Sequence, residues 1–187
     1  SDYAVCSIRK WIPVLSGGFA VSLREKFKTN LDGYDLDEDF LQLRQEAMEM
    51  KSKYLLGDCN DKERFLKLFN KSNTHLKNYK NKLMDEKSFE ILNNIDFDKI
   101  IKQRRTNAKI IEKRLKGQNK IKLLNNLQEG DTPLFVPILV EKNRDAIRSE
   151  LIEKSIYCPV HWKNEINSCN EIYEKELSLI CDQRYNE

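Results

Sequence analysis

Apolar residues recur at steps of three and four through the middle of the chain, and in short unbroken runs towards both ends. Over 37–56, Phe40, Leu43, Ala47, Met50 and Tyr54 form one stripe, which predicts an amphipathic helix. Gly57 follows it as a stop. A second stripe, Phe65, Leu68, Phe69, Leu76, Tyr79 and Leu83, predicts a helix over 61–83 with Asp61 as N-cap. A short helix is expected over 88–93, with Ser88 as its cap. The most regular pattern covers 98–115. There Asp98 is placed to cap, Ile101, Ala108, Ile111 and Leu115 line one side, and Gly117-Gln118-Asn119 ends the helix.

The short apolar runs predict strands. Two are expected at 4–8 and 19–23, joined by a loop over 10–18. After Asn119 the pattern predicts strands at 121–124, 134–140, 156–160 and 177–181, with a helix over 143–154 that turns Ile147 and Leu151 inward. Pro137 lacks an N–H, so its strand is expected at an edge or with a bulge. The fold class is therefore α/β. Its organisation reads as a strand–loop–strand piece with helices (1–97), a connecting helix (98–118) and a small α/β domain (119–187). The opening strands are the anomaly. Two buried strands without a hydrophobic partner imply a larger sheet.

Composition narrows the picture. The 187 residues are 40% hydrophobic and 34% charged, which suits a globular domain with a modest core. No apolar run approaches the roughly 20 residues of a membrane span. Arg9, Lys10 and the Gly17-Gly18 pair interrupt the first apolar residues, so a signal peptide is not expected there. The five cysteines, Cys6, Cys59, Cys158, Cys169 and Cys181, form no CxxC pair, and the histidines are only His75 and His161. Neither a metal site nor a disulfide framework is expected, and a reducing cytoplasm is. The net charge of +3 is unevenly spread: residues 99–122 hold ten Lys or Arg against one acid, Glu112. Such a run suits either a solvated helix face or a nucleic-acid or protein contact. It contains no aromatic residue to stack on a base, so nucleic acid is not the expected partner.

The candidate chemistry lies in the first loop. Lys10 follows a strand and precedes the apolar "WIPVL". Desolvation there would lower its pKa and make the amine a nucleophile; the alternative is a solvated surface charge. Ser7 lies three residues before it and Gly17-Gly18 seven and eight after it. A hydroxyl and open backbone N–H groups beside a lysine suit a phosphate. An amine beside a phosphate cradle is what pyridoxal phosphate requires.

Here "SIRK" and "SGGFAV" resemble the Schiff-base lysine segment of fold-type-I pyridoxal-phosphate enzymes, nearest the DegT class of sugar aminotransferases. "QRRTNAKIIEKRL" resembles that class's long helix into its small domain. "TPLFVPILVEKNRDAIRSELIEKSIYCPVHW" resembles its strand–helix–strand, with Tyr157, Pro159 and His161 as a Tyr-x-Pro-x-His pattern, and "ELSLICDQRY" its closing strand. The class places a phosphate-binding serine five residues before the lysine, where this chain has Val5; Ser7 instead follows the Ser-x-x-Lys spacing of other fold-type-I aminotransferases. The class's Gly-Tyr-Asn-Tyr-Arg segment is matched only loosely by "GYDLDED" at 33–39.

The resemblance implies a pyridoxal-phosphate-dependent aminotransferase, or a dehydratase or other lyase on the same scaffold. Lys10 would hold the cofactor, and Ser7, Gly17 and Gly18 its phosphate. His161, Trp162 and Arg184 would contact substrate, an amino donor with a keto-sugar or keto-acid acceptor. For His161 and Trp162 the alternative is packing of the small domain, and for Arg184 a surface salt bridge. The resemblance also implies a homodimer. It covers the chain as the C-terminal half of such an enzyme, so the chain is expected to be incomplete and inactive alone. The competing expectations are a helical nucleic-acid-binding or protein-interaction module using the basic 99–122 segment, and a catalytically silent paralogue domain used for dimerisation.

Overall fold

Strand β1 (Tyr3–Ser7) pairs antiparallel with β2 (Gly18–Ser22), in a register from Tyr3↔Ser22 to Ser7↔Gly18. This is seen in a computed structural model that describes residues 2–28, 30, 32–77, 81–161 and 171–185. Its mixed helices and small sheets make the α/β class expected from the sequence. The chain divides into two compact units, Ser1–Ile95 and Asp96–Glu187. The helix expected as a connector lies within the second.

In the first unit, a 3-10 turn (Ile8–Lys10) follows β1. The helices are α1 (Glu38–Leu56), α2 (Lys62–His75) and α3 (Glu86–Asn94). Asp37 caps α1 by accepting from the Phe40 N–H at 3.0 Å. Gly57 ends it in the left-handed region at φ +86, which a Cβ would oppose. Phe40, Ala47 and Phe65 are buried between α1 and α2, and the Tyr54 and Phe65 rings meet at 5.4 Å. The stripe also buries a cation. Arg44 lies 5.1 Å from the Phe40 ring and 5.3 Å from the Phe69 ring, and donates to Asn73 Oδ1 at 3.0 Å.

Several expected elements shift. The second helix stops at His75 rather than 83: Leu76 is its C-cap and is exposed, and Tyr79 lies outside the described residues. Asp85, not Ser88, caps α3, accepting from the Ser88 N–H at 2.9 Å. Ser88 is itself buried and serves the first loop.

The second unit has α4 (Phe97–Leu115), β3 (Ile121–Leu123), β4 (Phe135–Val140), α5 (Arg144–Glu153), α6 (Glu171–Lys175) and β5 (Glu176–Ile180). The strands form one antiparallel sheet in the order β3-β4-β5. Asp96, rather than Asp98, caps α4. Val136, Ile138 and Val140 alternate inward along β4, and Ile138, Val140, Cys158 and Leu177 pack with Ile147 and Leu151 of α5. Residues 156–160 are not a strand, although Pro159 O still accepts from the Ser178 N–H at 3.0 Å.

Pro137 sits in the central strand, contrary to the expected edge. The reason is local. Its carbonyl accepts from the Leu124 N–H, so its missing N–H lies on the β3 side. That is one position beyond the last β3–β4 pair, Leu123↔Ile138. The lost ladder bond falls where β3 has ended, and pairing with β5 is intact.

Among the described residues no helix is long and apolar enough to cross a membrane, and no group of three or more His, Cys, Asp or Glu could hold a metal.

Candidate functional site

The site is built on the loop that joins β1 to β2. Ile8, Ile12 and Val14 are buried, each no more than 3% exposed, and they anchor the loop from beneath. Arg9 and Lys10, between the anchors, stay exposed. Apolar positions pointing in thus force the two cations out.

Three further bonds fix the loop's far end. The Leu15 N–H donates to Ser88 Oγ at 2.9 Å, Ser16 Oγ donates to Asp85 Oδ2 at 2.6 Å, and the Asp85 N–H donates to Ser16 Oγ at 3.0 Å. Burial alone would raise the Asp85 pKa, but hydrogen bonds from Ser16 and Ser88 hold its carboxyl below the usual carboxylate range. Gly17 then turns at φ +105, where an added Cβ would lie 2.6 Å from Met84 Sδ. At Gly18 a Cβ would lie 2.8 Å from the Cys6 carbonyl oxygen. The hairpin's own packing therefore requires both glycines.

Ser7, Arg9, Gly17 and Gly18 line a cavity of about 790 Å³ together with Asp37, His75 and Lys82. Ser7 faces Gly18 directly across the hairpin, and its side chain makes no cap bond to the following turn. His75 Nδ1 lies 3.2 Å from Asp37 Oδ1, the oxygen that also caps α1. That contact orients the imidazole. Among the described residues Asp37 is the one carboxylate lining the cavity, against Arg9 and Lys82. Arg44, buried behind Phe40, has its guanidinium pKa lowered by burial first and by Arg9 second. The cavity's electrostatics therefore favour an anionic ligand.

The sequence candidates fall in different places. Ser7, Gly17 and Gly18 come together on the cavity. Lys10, at the end of the 3-10 turn, is exposed and does not line it, whereas its neighbour Arg9 does. His161 belongs to the second unit: its N–H donates to Glu176 Oε2 at 2.7 Å, its Nδ1 lies 2.9 Å from Ser178 Oγ, and its ring lies 5.1 Å from that of Phe135. Trp162 lies outside the described residues. Arg184 forks onto both oxygens of Asp182, at 3.1 Å from Nε to each. In the basic segment Arg104 is 3% exposed and donates to Gln183 and the Pro133 and Leu134 carbonyls, while Arg105 donates to the carbonyls of Gln128 and Asp131. Lys99, Lys102, Lys109, Lys113, Arg114, Lys116, Lys120 and Lys122 stay exposed.

Sequence reasoning missed Arg9, Asp37, His75 and Lys82. Arg9 was the most accessible of them, since it adjoins Lys10. The pairing of Asp37 with His75, by contrast, spans two helices.

No family model matches the chain, and no curated protein matches it. Among solved structures it is similar to the sugar aminotransferase CalS13 from Micromonospora echinospora, at 15% identity and a TM-score of 0.44, over 54% of this chain and 30% of that one. It is also similar to the aminotransferase TlmJ from Streptoalloteichus hindustanus, at 15% identity and a TM-score of 0.41, over 48% of this chain and 28% of that one. The chain thus spans less than a third of the length of either.

Proposed function

We propose that this chain carries the cofactor-lysine segment of a pyridoxal-phosphate-dependent aminotransferase, with Lys10 as the amine and Ser7, Gly17 and Gly18 around the phosphate. The observation that carries the reading is the hairpin register. Pairing Ser7 with Gly18 puts the hydroxyl and the glycine pair on one cavity, with Lys10 on the turn between them.

The donor set fits a phosphate. The Ser7 hydroxyl, the Gly17-Gly18 backbone and the Arg9 guanidinium border a space that holds one carboxylate and two permanent cations among its described walls. The glycines serve the hairpin as well, so their presence alone argues little. When bound, pyridoxal phosphate supplies an electron sink that stabilises a carbanion at the substrate's α-carbon. In this reading Lys10 Nζ would take and return the substrate proton, for which its exposed side chain would have to turn into the cavity that it does not line. Asp37 holds the His75 ring by its Nδ1, which places the imidazole on the cavity wall.

The exposed apolar residues of the hairpin support an assembled enzyme. Val5 is 85% exposed, and Tyr3, Phe19 and Val21 are exposed too. A two-stranded hairpin is marginal by itself, and a further sheet would cover these faces. The substrates in this reading are an amino donor and a keto-sugar or keto-acid, and the assembly is a homodimer.

The test is covalent labelling. The protein is incubated with pyridoxal phosphate, reduced with borohydride and mapped by peptide mass spectrometry. The expected result is a phosphopyridoxyl group on Lys10, lost in Lys10→Ala. Equal labelling spread over many exposed lysines contradicts the reading.

A further inference from the structure

The start of β5, in the second unit, buries a carboxylate on behalf of one histidine. Glu176, the first residue of β5, is fully buried, and Ser178, two residues on and on the same strand face, is 1% exposed. Glu176 Oε2 accepts from the backbone N–H of His161 at 2.7 Å, and Oε1 accepts from the Ser178 hydroxyl at 2.6 Å. The Ser178 oxygen lies 2.9 Å from Nδ1 of the His161 ring. Nδ1 is 3.8 Å from Glu176 Oε1, beyond hydrogen-bond reach, so the hydroxyl links ring and carboxylate. Both oxygens of Glu176 therefore serve His161, one through its backbone and one through its ring.

Burying a carboxylate is costly, and an apolar residue of similar size would pack there at lower cost. Among the described residues no Lys or Arg forms an ion pair with Glu176. What the acid adds is a direction for each proton. At 2.6 Å its contact with Ser178 has the length of a hydroxyl bonded to an ionised carboxylate, which can only accept. The single Ser178 proton thus points at Glu176, and the hydroxyl oxygen is left to accept from the ring. Nδ1 must then carry hydrogen, and in the neutral imidazole Nε2 holds the lone pair. The ring is also fixed in place. It lies 5.1 Å from that of Phe135, and the bond from the Ser178 N–H to Pro159 O fastens the segment before it along β5. The His161 side chain is still 38% exposed, so a molecule at the surface can reach the imidazole.

We propose that Glu176 and Ser178 are positioning residues that hold His161 in its Nδ1–H form, so that the neutral ring presents Nε2 as a base. The group that His161 serves there is a hydrogen-bond donor, a hydroxyl or an amine, and not an oxyanion. Where His161 is taken to contact substrate, a role that rests on the aminotransferase reading, it meets a hydroxyl or amino group of that substrate. The tautomer itself depends on the second unit alone and stands whether or not Lys10 binds pyridoxal phosphate.

The test reads the ring nitrogens of the 15N-labelled chain by long-range 1H–15N correlation, at about pH 8.5, where an ordinary imidazole is neutral. The histidines are only His75 and His161, so His75→Gln assigns the signals. The expected His161 spectrum has Nδ1 at the protonated end of the imidazole nitrogen range and Nε2 at the unprotonated end. Ser178→Ala removes the acceptor, and the two shifts should then converge as the tautomers mix. Ser178→Thr keeps the hydroxyl and should restore the original pattern. A protonated Nε2 in the unaltered chain overturns the proposal, as does a pattern unchanged in a folded Ser178→Ala. If circular dichroism shows the Ser178 variants unfolded, the spectrum of the unaltered chain decides alone. Diethyl pyrocarbonate, which acylates unprotonated imidazole nitrogen, should modify His161 in the folded protein. A His161 that resists the reagent until denaturant is added overturns its role as a base open to the surface.

Discussion

The Ser16 hydroxyl donates to Oδ2 of Asp85 at 2.6 Å, across 69 residues of sequence. This bond and the Leu15–Ser88 bond beside it hold the loop of Lys10 against the first turn of α3. Asp85 is thus both a helix cap and the loop's anchor. Asp85→Ala removes the cap and leaves the Ser16 donor without its acceptor, so a loss of about 2–3 kcal/mol is expected. Denaturant unfolding measures it. Hydrogen exchange at the Leu15 and Ser16 amides should accelerate more than exchange in α4.

The same carboxyl makes stability depend on acid. Its folded pKa is depressed, so it contributes stability that is fully present above its unfolded value, about 3.9. That contribution is lost as pH falls through the lower folded value. Asp182 behaves likewise: burial pushes its carboxyl up, but hydrogen bonds from Arg184 hold it below the usual range. Unfolding free energy is therefore expected to fall as pH drops below about 4. The fall should be shallower in Asp85→Asn. An unchanged slope in that variant would remove Asp85 as a contributor.

Gly17 and Gly33 separate two costs of a side chain. Both have positive φ, +105 and +81, but a Cβ at Gly17 meets Met84 whereas one at Gly33 meets nothing within 4 Å. Gly33→Ala should cost about 1 kcal/mol, from backbone strain alone. Gly17→Ala should cost more, about 2–3 kcal/mol, and Gly17→Ala with Met84→Ala should recover part of the difference. Thermal melts of the three variants check the order.

The buried cysteines should be inert. Burial pushes the Cys181 thiol up to about 11 and raises that of Cys158. Cys6 and Cys59 are only half-buried. Iodoacetamide on the folded protein should modify Cys6 and Cys59 first, and Cys158 and Cys181 only with denaturant. Peptide mapping over time reads the order.

The sequence showed what depends on local spacing. The Phe40–Ala47 stripe, the Asp61 cap and the two opening strands all rest on patterns within a few residues. The failures have non-local causes. Leu76 and Leu83 continue the apolar spacing of α2, yet the helix ends at His75 and the Leu83 N–H instead bonds Asp35 O. Pro137 was expected at an edge or with a bulge because it lacks an N–H, whereas in the central strand that missing N–H falls just beyond the end of β3 at Leu123. Within the site, Ser7 and the glycine pair were legible because a hairpin brings them together. Asp37 and His75 were not, since their contact depends on how α1 and α2 pack.

The proposed role of Lys10 is tested most directly by reducing the protein with borohydride in the presence of pyridoxal phosphate and comparing Lys10→Ala with Lys82→Ala. Among the described residues, Lys82 is the lysine that lines the cavity. The predicted result is one dominant phosphopyridoxyl group, on Lys10, absent in Lys10→Ala and retained in Lys82→Ala. A dominant label on Lys82, or labelling undiminished in Lys10→Ala, would contradict it.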